Sequence, residues 1–141
     1  MSEALVHASC VAIGGRAVLI AGASGRGKSD LAIRLIDRGA RLVSDDYTLL
    51  AANGPRLIAT PPDRIAGKIE LRGVGIVELE PLRGVPVCLV VDLDLPVERL
   101  PDAGTRTIAG LDLPLIALSA LEASAPIKVE SALLRFGLPL T

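Results

Sequence analysis

The stretch Arg16–Asp46 reads RAVLIAGASGRGKSDLAIRLIDRGARLVSDD, and its pattern decides the fold class. The apolar run Ala17–Ala21 predicts a buried strand, and a glycine-rich loop, Gly22–Ser29, follows it directly. Lys28–Arg38 has the apolar spacing of an amphipathic helix, which the next glycine ends. Arg41–Ser44 then predicts a second short buried strand. A strand, loop, helix and strand in this order are typical of an α/β domain.

The glycine-rich loop matches the pattern G-x-x-x-x-G-K-[ST] at every fixed position. Its glycines allow successive backbone N–H groups to point inward at phosphates, and the helix that follows adds its positive dipole end. Lys28 supplies a positive charge to the β and γ phosphates, and the Ser29 hydroxyl is a ligand for Mg²⁺. The loop therefore predicts binding of a nucleoside triphosphate with Mg²⁺ and transfer of a phosphoryl group. Its candidate nucleotide-binding residues are Gly22, Ala23, Ser24, Gly25, Arg26, Gly27, Lys28 and Ser29.

Two adjacent acids, Asp45 and Asp46, follow the strand after the first helix. In an α/β sheet that strand end is expected on the same edge as the glycine-rich loop. One carboxylate could then hold Mg²⁺ or its water, and the other could accept a proton from an attacking hydroxyl. Two solvated acids that cap a turn are the alternative interpretation.

The remaining pattern predicts a mixed sheet. Further strands are expected at Val6–Ile13, Tyr47–Ala51, Arg56–Thr60, Val85–Leu93 and Leu113–Leu118, with a hairpin turn at Asn53-Gly54. Irregular structure is expected at Ile65–Gly75, with at most one helical turn, and at Leu95–Asp112, and a C-terminal helix at Ala125–Phe136. We therefore expect residues 1–141 to form a single P-loop domain of the α/β class, with a mixed β-sheet and flanking helices.

Composition excludes several classes of protein. Of the 141 residues 50% are hydrophobic and 22% charged, which excludes a disordered chain. The net charge is −1, and no basic stripe suggests binding to nucleic acid or to a membrane surface. Cys10 and Cys88 lie apart in apolar runs, which favours buried free thiols in a reducing compartment. With neither a signal peptide nor an apolar run of roughly 18 residues, a cytoplasmic protein is expected.

Four segments in this order resemble a known family: His7, the glycine-rich loop, Arg38–Asp46 (RGARLVSDD) and Glu70–Ile76 (ELRGVGI). Together they resemble the C-terminal catalytic domain of HPr kinase/phosphorylase, and the resemblance extends from Val6 to Leu93. It implies that family's fold and activity. The family uses ATP to phosphorylate a serine of HPr, the small phosphocarrier of the phosphotransferase system that is linked to carbon and nitrogen metabolism. Many members also remove that phosphate by phosphorolysis.

The resemblance also implies roles for single residues. Lys28 would contact the transferring phosphate, and Ser29 and Glu70 would ligate Mg²⁺. The implied cofactors are thus ATP and Mg²⁺, and the implied partner is an HPr-type phosphocarrier protein. Taken by itself, Glu70 is an ordinary solvated acid.

The catalytic residues implied by the resemblance follow the same order along the chain. Asp46, with Asp45 beside it, would accept the proton in the kinase direction and donate it in the reverse direction. His7 matches the family's active-site histidine, and Arg99 matches, in a looser alignment, an arginine near the active site. The segment Leu71–Val77 would handle HPr and phosphate.

Three departures from the family pattern set further expectations. The resemblance starts near the first residues, so we expect the short form without an N-terminal domain that some α-proteobacteria have. Ala23 stands where the family often has an acid. The segment Ala120–Pro126 lacks the arginine and glycine associated with the dephosphorylation direction, which puts that activity in question. Members of the family assemble as hexamers, and the resemblance implies a homo-oligomer here as well.

Two other functions remain open at this point. A nucleotide-sensing binding module would bind nucleotide tightly without turnover, and its binding would not depend on Asp46. A small-molecule P-loop kinase would need a lid and an arginine-rich clamp, for which Leu95–Asp112 offers only Arg99 and Arg106.

Overall fold

The computed structural model describes residues 3–140. Within that range it has eleven strands, two α-helices and one 3₁₀ turn at Asp63–Ile65. The helices are α1, Lys28–Asp37, and α2, Ala125–Phe136. The strands are β1 (Glu3–Val6), β2 (Ala8–Ile13), β3 (Arg16–Ala21), β4 (Arg41–Ser44), β5 (Thr48–Asn53), β6 (Arg56–Thr60), β7 (Lys68–Leu71), β8 (Gly75–Glu78), β9 (Val85–Asp92), β10 (Gly104–Ile108) and β11 (Leu111–Ala117).

The large sheet is mixed, as the sequence predicts, and its strand order is β1-β5-β6-β9-β3-β2-β4. Strand β9 is its centre and pairs in parallel with β3 along one edge. Its other edge pairs first with β6, antiparallel, and then with β11, parallel. Strand β10 extends the sheet beyond β11 as an antiparallel hairpin. Parallel and antiparallel pairs therefore meet on one strand, and the sheet curls.

Apolar residues fill both faces of the central strands. Alternate side chains of β3 point to opposite faces, and both sets are fully buried, which explains its continuous apolar run. One face carries α1, α2 and the β7-β8 hairpin, and its largest buried residues include Val18, Ile20, Leu31, Leu35, Ile69 and Leu89. The other face packs against the curled outer strands through Leu19, Leu50, Leu57, Val90 and Leu113.

Helix α1 forms where the pattern predicts it. Leu31, Ala32 and Leu35 are fully buried on its inner face. Gly39, at φ 112°, donates its N–H to the Ile36 carbonyl and so ends the helix. On the outer side, Arg38 donates to both carboxylate oxygens of Glu130 on α2, at 3.0 and 2.8 Å. That pair lowers the pKa of Glu130 and joins the two helices. Neither helix within residues 3–140 has the length and apolar character that crossing a bilayer requires.

The prediction of a loop at Ile65–Gly75 is wrong, because β7 and the start of β8 lie there. The two strands form a separate antiparallel hairpin, with Ile69 opposite Val77 and Glu70 opposite Ile76. Ile69 is buried under α1, whereas its neighbours Lys68 and Glu70 are exposed. Strand β7 has one buried side chain, Ile69, and β8 has only the half-buried Val77, so the two short strands leave little apolar pattern in the sequence.

The prediction of irregular structure at Leu95–Asp112 is wrong for its second half. Strand β10 pairs with β11 from Gly104 opposite Leu115 to Ile108 opposite Leu111. The turn uses two positive-φ residues, Ala109 at 50° and Gly110 at 82°. Among residues 3–140, strand β10 pairs with β11 alone and is largely exposed. Its polar side chains face water, so its sequence resembles that of a loop.

The first predicted strand, Val6–Ile13, is divided at His7. Strand β1 pairs with β5, whereas β2 pairs with β3 and β4. The break frees His7 from the ladder at the start of β2. Both cysteines are buried free thiols, as predicted, and burial raises the pKa of Cys10 and of Cys88.

Candidate active site

Five strand termini meet along one edge of the sheet. The pairings join Ser44 to Cys10, Ala8 to Ala21, Ala21 to Asp92, and Asp92 to Ala117. Four segments therefore leave the sheet at this same edge. They are the glycine-rich loop, the acid pair and the segments that follow β9 and β11. His7 precedes β2 at that edge as well. The expectation that the loop and the acid pair share one edge is confirmed.

The glycine-rich loop has the backbone geometry that its glycines allow. Gly25 and Gly27 have φ angles of 86° and 94°, which other residues rarely adopt. A Cβ atom at Gly27 would also lie 3.1 Å from the Cβ of Ala120. Lys28 is buried, and its Nζ donates to the carbonyl oxygens of Gly22 at 2.7 Å and Ala23 at 3.2 Å. The ammonium group thus lies within the curl of the loop.

Asp45 connects the glycine-rich loop to β2. Its buried carboxylate accepts hydrogen bonds from Ser29 Oγ at 2.7 Å and from Ser9 Oγ at 2.8 Å. Ser9 Oγ in turn accepts the backbone N–H of Asp46 at 3.1 Å. One hydroxyl therefore orients both members of the acid pair.

Asp46 points away from this buried cluster. Its side chain is 60% exposed, and its Oδ1 lies 2.9 Å from His7 Nε2. The imidazole ring of His7 stacks on Tyr47, with ring centroids 5.0 Å apart. Asp46 has a φ of 68°, a left-handed conformation that aspartate tolerates better than most residues and that is concentrated at functional sites. The two neighbouring acids are thus in different environments, one buried and one accessible.

Ser9 was not predicted as a site residue. The available signal was a hydroxyl residue inside the apolar strand ASCVAI, where it is fully buried.

We expect Ser9→Ala to lower the free energy of unfolding by about 1–3 kcal/mol, because it leaves the Asp46 N–H and one side of Asp45 without their partner. Urea denaturation measures this loss. Ser131→Ala, on the exposed face of α2, is the control and should change the value by less than about 0.5 kcal/mol. Equal stability of the two variants would contradict this role of Ser9.

Two acids at the C-terminal end of β9, Asp92 and Asp94, were also missed. Asp94 accepts the N–H of Ala23 at 2.9 Å and pairs with Arg26 at 3.1 Å, so it holds the start of the glycine-rich loop. Asp92 accepts the N–H groups of Asp94 and Leu95 and pairs with Arg106. Burial acts to raise the pKa of Asp92, but the hydrogen bonds from Arg106 and from the backbone outweigh it and lower that pKa.

A pH dependence follows from Asp92. Because folding lowers its pKa, its contribution to stability is present above its ordinary value of 3.8 and is lost as pH falls through the folded-state value. Asp92→Asn should therefore be less stable than the natural protein at neutral pH, and the gap should narrow at acid pH. Urea midpoints of the two proteins at about pH 7 and about pH 3 measure this difference in stability. A gap that widens on acidification would contradict the assignment. Asp63→Asn, a fully exposed acid, controls for loss of a surface charge.

Two predicted residues lie apart from this cluster. Glu70 is exposed on β7 and pairs in register with Ile76 of β8. Arg99 is exposed in the segment between β9 and β10, and within residues 3–140 no hydrogen bond or ion pair joins it to the cluster. Over the same described range, no three histidine, cysteine or acidic side chains come together as a ready metal site. Of the predicted metal ligands, Ser29 does lie against a carboxylate, that of Asp45, and this pair of hard oxygen atoms suits Mg²⁺.

Comparison with known proteins gives a consistent family. Residues 1–98 match the model for the HPr Serine kinase C-terminal domain. The HPr kinase/phosphorylase of Limosilactobacillus reuteri is 34% identical over 146 residues, which cover 93% of this chain and 46% of that protein. That of Chlorobium phaeobacteroides is 35% identical over 126 residues, covering 79% of this chain and 37% of the relative. The chain therefore spans less than half the length of these curated relatives.

A solved structure agrees in fold as well as in sequence. The HPr(Ser) kinase/phosphatase from Coxiella burnetii superposes with a TM-score of 0.82 at 28% sequence identity. The match covers 94% of this chain and 95% of that chain. It therefore includes at least part of the β10-β11 hairpin and at least part of α2, both of which follow the segment that the family model matches.

Proposed function

Because this chain belongs to the family of HPr serine kinase C-terminal domains, we propose that it transfers the γ-phosphoryl group of ATP, with Mg²⁺, to a serine of the phosphocarrier protein HPr. One observation carries the proposal. A continuous series of hydrogen bonds runs from Ser29 through Asp45 and Ser9 to the backbone of Asp46, whose carboxylate contacts His7. This series joins a phosphate-binding motif to an accessible base.

Asp46 is the group that we assign to the proton of the attacking serine. Its carboxylate is largely exposed, so the hydroxyl of another protein can reach it. His7 holds one of its oxygen atoms and leaves the other free to accept the proton. The stacked Tyr47 ring and the strained backbone keep this pair in one orientation. Asp46 therefore acts as the base and His7 as the residue that positions it.

The glycine-rich loop and its neighbours serve the phosphate side. The ammonium of Lys28 donates hydrogen bonds to two loop carbonyls, and we propose that it contacts the transferring phosphate of a bound nucleotide. Ser29 Oγ and the Asp45 carboxylate would hold Mg²⁺, which supplies positive charge to the phosphates. Glu70, the other predicted Mg²⁺ ligand, is exposed on β7, and within residues 3–140 no hydrogen bond joins it to Ser29 or Asp45.

The tip of the β7-β8 hairpin is the surface that we assign to HPr. Val74 is 78% exposed and Ile76 is 69% exposed, although both are apolar. Exposed apolar side chains on a projecting turn favour contact with a protein rather than with a small metabolite. This supports HPr over a small-molecule substrate.

Transfer of label tests the proposal. The purified chain is incubated with ATP labelled at the γ position, Mg²⁺ and HPr, beside an HPr variant whose target serine is replaced by alanine. Label on natural HPr and none on the variant is the expected result. If ATP binds but neither HPr is labelled, the kinase assignment fails and a nucleotide-sensing module becomes the better interpretation. Four further expectations from the sequence stay predictions. They are the reverse phosphorolysis, assembly into an oligomer, the single-domain organisation and a cytoplasmic location.

A further inference from the structure

A cavity of about 280 Å³ lies between the segment that follows β9 and the β10-β11 hairpin. Its lining combines apolar side chains with two acids. The apolar residues are Leu95, Pro96, Leu115 and Ile116, and the acids are Glu98 and Asp102. No residue of the active-site cluster lines it, so it is a separate feature of the same sheet edge.

The cavity is physically joined to the glycine-rich loop. Asp94 accepts the N–H of Ala23, and the next residue along the chain, Leu95, is a wall of the cavity. On the other side, Ala117 lines the cavity and pairs with Asp92 at the end of β9. The loop and the cavity therefore share the residues that follow β9.

The direction of a bound nucleotide follows from the strand order. The base Asp46 and the buried Asp45 follow β4, on one flank of the loop-bearing strand β3. The cavity lies on the opposite flank, beyond β9. If the transferring phosphate faces Asp46, the rest of the nucleotide extends away from β4, toward β9 and β11.

We propose that this cavity binds the nucleoside part, base and ribose, of the triphosphate held by the glycine-rich loop; this rests on the proposed function. Its apolar walls suit the faces of a base. The carboxylates of Glu98 and Asp102 suit hydrogen-bond donors, such as an exocyclic amine or ribose hydroxyls, and repel phosphate. Both features match the nucleoside end of the molecule and not its phosphate end.

Gly104 offers a way to fill the cavity without disturbing the fold. It lines the cavity at the start of β10, and the atoms nearest to a Cβ there would be those of Leu115, at 3.5 Å or more. Gly104→Phe should therefore fold and place its ring in the cavity. Thr105→Phe is the matched control, because the adjacent residue of a strand points to the other face.

Calorimetry measures the affinity for ATP and for inorganic tripolyphosphate, each with Mg²⁺. Tripolyphosphate can contact only the glycine-rich loop, whereas ATP can also contact the proposed nucleoside cavity. We expect the natural protein and Thr105→Phe to bind ATP at least about tenfold more tightly than tripolyphosphate, a difference of about 1.4 kcal/mol. Gly104→Phe should lose that difference and keep its affinity for tripolyphosphate. Thermal melts verify that both variants fold.

Two results would contradict the proposed nucleoside site and leave the proposed function intact. In the first, the natural protein binds ATP and tripolyphosphate with equal affinity. In the second, Gly104→Phe binds ATP as tightly as the natural protein does. If the natural protein binds neither ligand, the proposed function fails, and the nucleoside site fails with it.

Discussion

Replacing Asp46 with asparagine should reduce the rate of phosphoryl transfer to HPr by about 10²–10⁴-fold, the usual contribution of a positioned base. Asparagine has nearly the same size, and its amide oxygen can still accept a hydrogen bond from His7. It cannot take a proton from the serine hydroxyl. The Ser9–Asp45–Ser29 cluster is untouched by this change, so affinity for ATP should stay within about twofold.

The measurement is the initial rate of label transfer at saturating ATP, together with the Kd for ATP. Asp37→Asn, at the exposed end of α1, controls for the loss of one negative charge and should retain the natural rate. Transfer at the natural rate by Asp46→Asn would show that the proton acceptor is another group. An equal loss of transfer and of ATP affinity would mean that Asp46 supports the nucleotide site and does not act as the base.

Leu35→Ala should lower the free energy of unfolding by about 2–5 kcal/mol, the range for truncating a fully buried leucine. Leu35 is 0% exposed on the inner face of α1, in the same apolar cluster as Val18, Ile20 and Val129. The loss is large against the roughly 5–15 kcal/mol that holds a typical domain folded. Because α1 begins at Lys28, the variant should also bind ATP less tightly at elevated temperature.

Urea denaturation at neutral pH measures the change. Leu134→Ala is the matched control, since Leu134 is 82% exposed on α2 and its truncation should change stability by less than about 0.5 kcal/mol. Similar losses in the two variants would contradict the assignment of Leu35 to the core.

The β7-β8 hairpin shows where reasoning from sequence is weakest. The segment Glu70–Ile76 is one of the four that carry the family resemblance, yet the local sequence pattern predicts a loop there. Its strands are four residues long, and the glycines at 73 and 75 mark the turn more clearly than Ile69 marks the buried face. Local pattern identifies long buried elements such as β9 well, because many side chains repeat the same signal.

The sequence by itself determined the glycine-rich loop, both helices, the buried strands and the mixed α/β class, because these depend on neighbours a few residues apart. It also placed the acid pair at the strand end that faces the loop. Only the tertiary structure decided which side chains complete the cluster. Ser9 meets Asp45 across 36 residues, and Ala23 meets Asp94 across 71. Hydrogen bonds over such separations exist only once the strands have paired in register, so no local pattern of residues encodes them.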